Sequence, residues 1–436
     1  MRPRVGASGG MAVIFSPEER LDRAVLEALQ LERLRAQLAR VAARVGPIAE
    51  RWRKAGVVAD EIRTLADVTR LPFMTKRDLR DHYPIGLFGA PLAVVARVQG
   101  SSGTRGKPTV VGYSRADLDL WALLVARCLA LAGAEPGQVL HNAYGYGLFT
   151  GGLGLQQGAE RLGLCVLPLS GGQTRRQMLF LQDFHPDGIA CTPSYLLNLM
   201  ESLHTDGVEP RELGLRWAIL GAEPWSEDMR QVIEDGFGVR AVDIYGLSEV
   251  IGPGVACECA EAQDGLHVQE DHVLVEVVDP STGTPLPPGA VGELVFTTLT
   301  REVSPVVRYR SGDVASLDPS PCRCGRTMVR MSKIKGRTDD MLVVRGVNVF
   351  PSEIEAVVSS VEGLLPVHRI VLRRPRALDE VVVQVEAEGP ADRLGERMER
   401  LLFDRLGIGV RVEVLAPMAL PRSEGKAVRV VDERRS

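Results

Sequence analysis

Apolar residues recur at helical spacing between residues 17 and 46, where Leu21, Val25, Ala28, Leu31, Leu34 and Leu38 fall on one stripe of an Arg-rich helix. Its basic face reads as a solvated surface. Residues 93–98 are mostly apolar and predict a strand. Ser114 with Asp117 three residues on makes a capping signal, and a helix follows through Leu118, Trp121, Leu124, Val125 and Cys128. Strand-like runs at 216–220 and 241–245 each end in a polar turn, GAEPW at 221–225 and GLSE at 246–249. Strands alternating with helices predict an α/β protein with chemistry at the carboxyl edges of its sheets. Residues 272–300 differ: two strand patterns flank a Pro- and Gly-rich turn, which predicts an antiparallel β sub-domain. Beyond Gly336 comes the strand-like MLVVRG. Then a helix opens on Pro351 with Glu353 and Glu355 in its first turn, followed by a hairpin pattern. This reads as a small separate α+β domain.

Length and composition narrow the class. A chain of 436 residues predicts more than one domain. We divide it into an N-terminal extension at 1–16, expected to be disordered, a large domain at 17–336, a hinge at 337–339 and a C-terminal lid at 340–436. Hydrophobic residues make up 45% and the net charge is −4, so a sizeable core is expected and nucleic acid is not an expected partner. No apolar run is long enough to cross a membrane, and the short run in the first twenty residues is too brief for a signal peptide. Seven cysteines, an odd number, argue against a disulfide framework and for a cytoplasmic protein.

Candidate chemistry concentrates in loops. The segment Ser101, Ser102, Gly103, Thr104, Arg105, Gly106, Lys107 combines hydroxyls, glycines and a lysine directly after a predicted strand. Such a loop turns backbone N–H groups and side-chain donors toward an anion. It is not a Walker loop, because Pro108 follows the lysine where a metal-holding hydroxyl is needed. Glu249, just past a strand, could hold Mg²⁺ on nucleotide phosphates. Asp313 in RYRSGD could accept from ribose hydroxyls, and Lys426 stands on a Gly-flanked segment near the C-terminus. Cys322 and Cys324 in a turn, with Cys257, Cys259 and His267 upstream, read as zinc ligands. The set favoured is Cys259, His267, Cys322 and Cys324, with Cys257 as an alternative to Cys259, tying a strand-end loop to the β sub-domain. Tyr144, Tyr146, Phe149 and the Gly151-Gly152 pair suggest a flat aromatic slot, or core packing.

The stretches SSGTRGKPTVVGYSRADL, HNAYGYGLFTGGLG, CTPSY, GAEPW, DIYGLSEVIGPGVACEC, RYRSGD, GRTDDMLVVRGVNVFPSEIE and LPRSEGKAVRV resemble the phenylacetate–CoA ligase family of the acyl-adenylate-forming superfamily. The resemblance spans residues 71–432. It implies the acyl-adenylate-forming fold, a large N-terminal domain with α/β sheets and a β sub-domain plus a small mobile α+β C-terminal domain. It also implies ATP, Mg²⁺ and CoA. Residues 101–107 would grip the triphosphate. Gly221, Ala222, Glu223, Pro224, Asp243, Tyr245, Gly246 and Ser248 would line the nucleotide, Asp313 and Arg337 would hold the ribose, and Glu249 the metal. Lys426 would bridge carboxylate and α-phosphate, Asp339 would be the hinge, and Gly346 would line the pantetheine tunnel. Tyr144, Phe149 and Gly151 would shape the pocket for an aryl acid, phenylacetate before hydroxylated or benzoate-type acids. Arg105 stands where the family usually has a second threonine. A carrier-protein acceptor, a homodimer and a non-catalytic nucleotide-binding role stay open.

Overall fold

The computed structural model describes residues 14–100, 108–338, 342–344, 347–349, 351–373, 379–388, 391–422 and 429–433. The phosphate-loop candidates at 101–107, Asp339, Gly346 and Lys426 lie outside the described residues.

The predicted N-terminal helix is split. Pro17–Arg20 is a short 3₁₀ turn, Arg23–Arg44 is α-helical, and Gly46–Lys54 begins anew with Pro47 in its first turn. Its buried face shares only Leu34 and Leu38 with the predicted stripe. Leu26, Gln30, Leu34, Gln37, Leu38 and Val41 point inward, while Val25 is 52% exposed. Two glutamines occupy core positions because their amides are satisfied there: Gln30 Nε2 donates to the Glu270 carbonyl at 2.9 Å and Gln37 Nε2 to the Arg301 carbonyl at 2.7 Å. A search for apolar spacing cannot see such positions. Residues 14–20 pack onto the body of the protein. Phe15 N donates to Glu19 Oε1 at 2.9 Å, and Arg127 Nε donates to Ser16 Oγ at 2.7 Å.

The strand before the phosphate loop is Arg97–Gly100; residues Leu92–Val94 form a 3₁₀ turn instead. It pairs antiparallel with Val110–Tyr113, so residues 101–107 join two hydrogen-bonded strands. The Ser114–Asp117 capping box opens the helix Arg115–Leu131 as predicted, and Leu118, Trp121, Leu124, Val125 and Cys128 are all buried. Helix Gly151–Leu162 packs against it closely. A Cβ on Gly154 would collide with the Trp121 ring and one on Gly158 with Val125.

Most of the large domain hangs on a nine-stranded sheet. From one edge inward, Cys165–Pro168, Val139–Asn142, Gly188–Cys191, Trp217–Gly221 and Arg240–Leu247 run parallel. Gly252–Glu258 then reverses the direction, and Leu266–Val268, Arg330–Met331 and Leu317–Asp318 complete an antiparallel half. The central strands Gly188–Cys191 and Trp217–Gly221 are buried throughout and read as continuous apolar runs because both their faces are covered. The predicted β sub-domain is a separate antiparallel sheet of Val273–Val278, Gly292–Thr298, Tyr309–Ala315 and Gly336–Arg337. Near the C-terminus, Leu364–Arg373 and Glu380–Ala387 pair antiparallel, flanked by Val430–Asp432 and Arg411–Leu415. Helices Pro351–Ser360 and Ala391–Leu406 contribute Ile354, Val358, Met398 and Leu402 to a core distinct from that of the large domain.

Candidate active site and cysteine cluster

The strands Trp217–Gly221 and Arg240–Leu247 are neighbours, so the turns that follow them open side by side at the carboxyl edge of the sheet. In the first turn Ala222 holds φ at +70°, a left-handed conformation uncommon for a residue with a side chain and frequent at functional sites. The Glu223 carboxylate accepts from Ser194 N at 2.8 Å, joining this turn to the start of helix Pro193–Thr205. The strand Arg240–Leu247 outlasts its predicted end at 245 because Gly252–Glu258 pairs with it. The register shifts between Tyr245 and Gly246, and a Cβ on Gly246 would overlap the Gly252 carbonyl, so glycine alone permits this approach. Ser248 Oγ lies 3.2 Å from Thr150 Oγ1.

Three predicted nucleotide residues meet. Tyr245 Oη donates to Asp313 Oδ2 at 2.6 Å, and the Arg337 guanidinium donates to Asp313 Oδ1 from the strand paired with it. Arg337 Nη2 also donates to the Ser311 carbonyl at 3.2 Å. Burial, followed by the Asp313 charge, pushes the Tyr245 phenol well above its ordinary pKa, so it stays a neutral donor. Asp243 is pushed up to about 7, by burial first and then by the charge of Glu258, while Lys333 acts against that shift. Glu249 is buried and lines a small cavity with Val110 and Val111, on the strand leaving residues 101–107, and with Ser304. Tyr144 lies in the large-domain core, whereas Phe149 is 41% exposed. A Cβ on Gly151 would come within 2.6 Å of the Phe149 ring. A larger cleft of about 260 Å³ is lined by Glu227, Asp264, Asp318, Arg330 and Lys333, and by none of the predicted site residues. Its cations are paired with its own carboxylates.

The four favoured zinc candidates come together. The ligand atoms of Cys259, His267, Cys322 and Cys324 all lie within 4.8 Å of one another, and all four residues are buried. Cys259 Sγ is 3.7 Å from Cys322 Sγ, and Cys324 Sγ is 3.5 Å from His267 Nε2. A tetrahedral zinc with bonds of about 2.3 Å to sulfur and about 2.0 Å to nitrogen sets separations near ~3.8 Å and ~3.5 Å. The donor set therefore fits this ion. Cys257 is excluded from it, since its thiol donates instead to the Cys128 carbonyl at 3.6 Å. The cluster does not reach the β sub-domain. Arg330 pairs with His267 and Met331 with Leu266, which puts the turn carrying Cys322 and Cys324 at the antiparallel edge of the large sheet. Sequence spacing missed what surrounds it. Arg326 Nε donates to Glu19 Oε2 at 2.6 Å, and Thr327 Oγ1 to the Leu21 carbonyl at 2.7 Å, so the N-terminal segment is strapped to the cysteine turn. Glu19 is buried by a partner 307 residues away, a contact without local signature.

Comparison with known proteins gives the site its context. The AMP-binding enzyme family profile matches residues 93–299, and that of the AMP-binding enzyme C-terminal domain matches 346–434. A phenylacetate-coenzyme A ligase of Thermus thermophilus is 51% identical over 97% of this chain and 100% of its own length. One of Escherichia coli is 47% identical over 94% and 95%. Among solved structures, a 2-hydroxyisobutyryl-CoA ligase in the postadenylation state superposes with a TM-score of 0.90 at 30% identity, over 96% of this chain and 92% of that one. The same ligase in its thioesterification state gives 0.73 over the same shares. With four curated relatives at 46–51% identity over nearly its whole length, the chain belongs to the phenylacetate–CoA ligase family of AMP-binding enzymes.

Proposed function

We propose that this protein is an AMP-forming acid–CoA ligase that activates phenylacetate. The observation that carries the reading is the meeting of Tyr245, Asp313 and Arg337 beside the GAEPW turn, in a chain about half identical to phenylacetate–CoA ligases. In the first step a carboxylate oxygen attacks the α-phosphorus of ATP, and the bond to pyrophosphate breaks. In the second, the CoA sulfur attacks the acyl carbon, and AMP leaves with the carboxylate oxygen. Asp313 accepts from the ribose hydroxyls with Arg337 beside it, and Gly221 to Pro224, Asp243, Gly246 and Ser248 surround the base. The N–H groups of 101–107 and Lys107 hold the β- and γ-phosphates. Lys426 sets a positive charge on the oxygens where charge builds. Glu249 would hold Mg²⁺, which when bound neutralises phosphate charge. Asp339 serves as hinge and Gly346 lines the path for the thiol. Phe149 and Gly151 face the acid, and Tyr144 backs them from the core.

The cysteine cluster is read as a structural zinc site. Four closed protein ligands leave no position for substrate, which is the pattern of a structural ion. Seven free cysteines are consistent with a reducing cytoplasm. An AMP-release assay over a panel of aryl acids, with and without CoA, tests the whole reading. CoA-dependent AMP strongest with phenylacetate is expected; no turnover with any acid sinks it.

A further inference from the structure

Among the described residues, two polar contacts join the C-terminal part of the chain to helices of the large domain. Ser226, the cap of helix Glu227–Phe237, hydrogen-bonds Ser359 on Pro351–Ser360 at 3.0 Å. Arg422 Nε lies 3.4 Å from Glu201 Oε2, on the helix Pro193–Thr205. Arg422 is already committed on its other face. Its two terminal nitrogens each donate to Glu386 at 2.9 Å, a carboxylate with 0% exposure that also accepts from Leu420 N and Met418 N. That fork fixes the guanidinium rigidly in the C-terminal sheet, leaving Nε turned toward Glu201. A pre-oriented cation is a better docking point than a free lysine, because little side-chain entropy is lost when the pair forms.

Arg422 stands four residues before Lys426. The arrangement holding this pair is the one that superposes at 0.90 on a postadenylation state and at 0.73 on a thioesterification state. We propose that Glu201 is a positioning residue for acid activation: paired with Arg422, it seats the C-terminal domain for the first half-reaction and takes no part in the second. Glu201 touches no reacting group. Its effect runs through the population of one domain arrangement. The inference rests on the two-step ligase reading above.

The test measures the half-reactions separately in the full-length enzyme. Pyrophosphate exchange with phenylacetate reads the first step, and CoA with supplied phenylacetyl-adenylate reads the second. Glu201→Lys replaces attraction by repulsion at a half-exposed site, so exchange is expected to fall about five- to tenfold. Glu201→Gln should fall about twofold in the same direction. The second step should be unchanged in both variants, which also shows that they are folded. Added salt should shrink the gap between wild type and Glu201→Gln. Equal loss in both steps, or no change in exchange, overturns the proposal. Absence of exchange in the wild-type enzyme would instead remove the ligase reading beneath it.

Discussion

Tyr245 and Asp313 are 68 residues apart in sequence and share a 2.6 Å hydrogen bond that links the large sheet to the smaller antiparallel one. The carboxylate is held by a phenol on one side and a guanidinium on the other, leaving its orientation fixed before nucleotide arrives. Asp313→Asn keeps the shape but loses the charge. Charge-assisted bonds contribute about 1.5–3 kcal/mol each, so the KM for ATP should rise about ten- to a hundredfold. Tyr245→Phe, which removes one positioning bond of about 1 kcal/mol, should raise it only about fivefold. Steady-state kinetics with varied ATP checks both.

Lys426→Ala should lower the rate of acyl-adenylate formation about a hundred- to a thousandfold, the usual loss when one pre-organised donor to a developing charge is removed. Thioester formation from supplied acyl-adenylate should be largely spared. Equal loss in both steps would contradict a lysine used in the first alone.

The elements with local signals were legible in the sequence. The Ser114–Asp117 cap, the strands ending in GAEPW and YGLSE, and the strand pairs of 272–300 all stand where patterning placed them. The face of the first helix was legible only at Leu34 and Leu38, because Gln30 and Gln37 beside them are buried by carbonyls more than two hundred residues away. The nearness of Tyr245, Asp313 and Arg337 was not visible from spacing either; it depends on sheet neighbours far apart in sequence. The choice of Cys259 over Cys257 could not come from strand alternation, which puts residues two apart on one face; Cys259 stands past the end of the strand Gly252–Glu258, while Cys257 is still inside it and donates to the Cys128 carbonyl of the helix Arg115–Leu131.

Metal analysis of protein purified without chelators should find about one zinc per chain, from one closed four-ligand site. Cys322→Ala and Cys324→Ala should each lose the ion. Because Glu19 and Arg326 tie the N-terminal segment to the same turn, limited proteolysis near residues 14–21 should speed up in these variants. Zinc-free protein with unchanged thermal stability would rule against the site.

His141 is fully buried, donates from Nε2 to Gln177 Oε1 at 2.5 Å, and is pushed down to about 4 by burial. His368 is likewise pushed down, to about 3, by burial and then by Arg429. Both are neutral in the fold, so the unfolded chain binds more protons below its ordinary histidine pKa. Their contribution is present above about pH 6.5 and is lost as pH falls through the folded values, with a cost of roughly 2 kcal/mol per histidine by about pH 5. Melting temperature should drop from pH 7 to pH 5, less steeply in His141→Gln than in wild type. Parallel slopes would show that His141 is not the group responsible.

The most direct test of the central claim follows one oxygen atom. Phenylacetate labelled with heavy oxygen in its carboxylate is turned over with ATP and CoA, and the AMP is weighed by mass spectrometry. Attack of the carboxylate on the α-phosphorus predicts that AMP carries one labelled oxygen and appears in equal amount with phenylacetyl-CoA. Unlabelled AMP, or ADP in its place, would contradict an acyl-adenylate pathway.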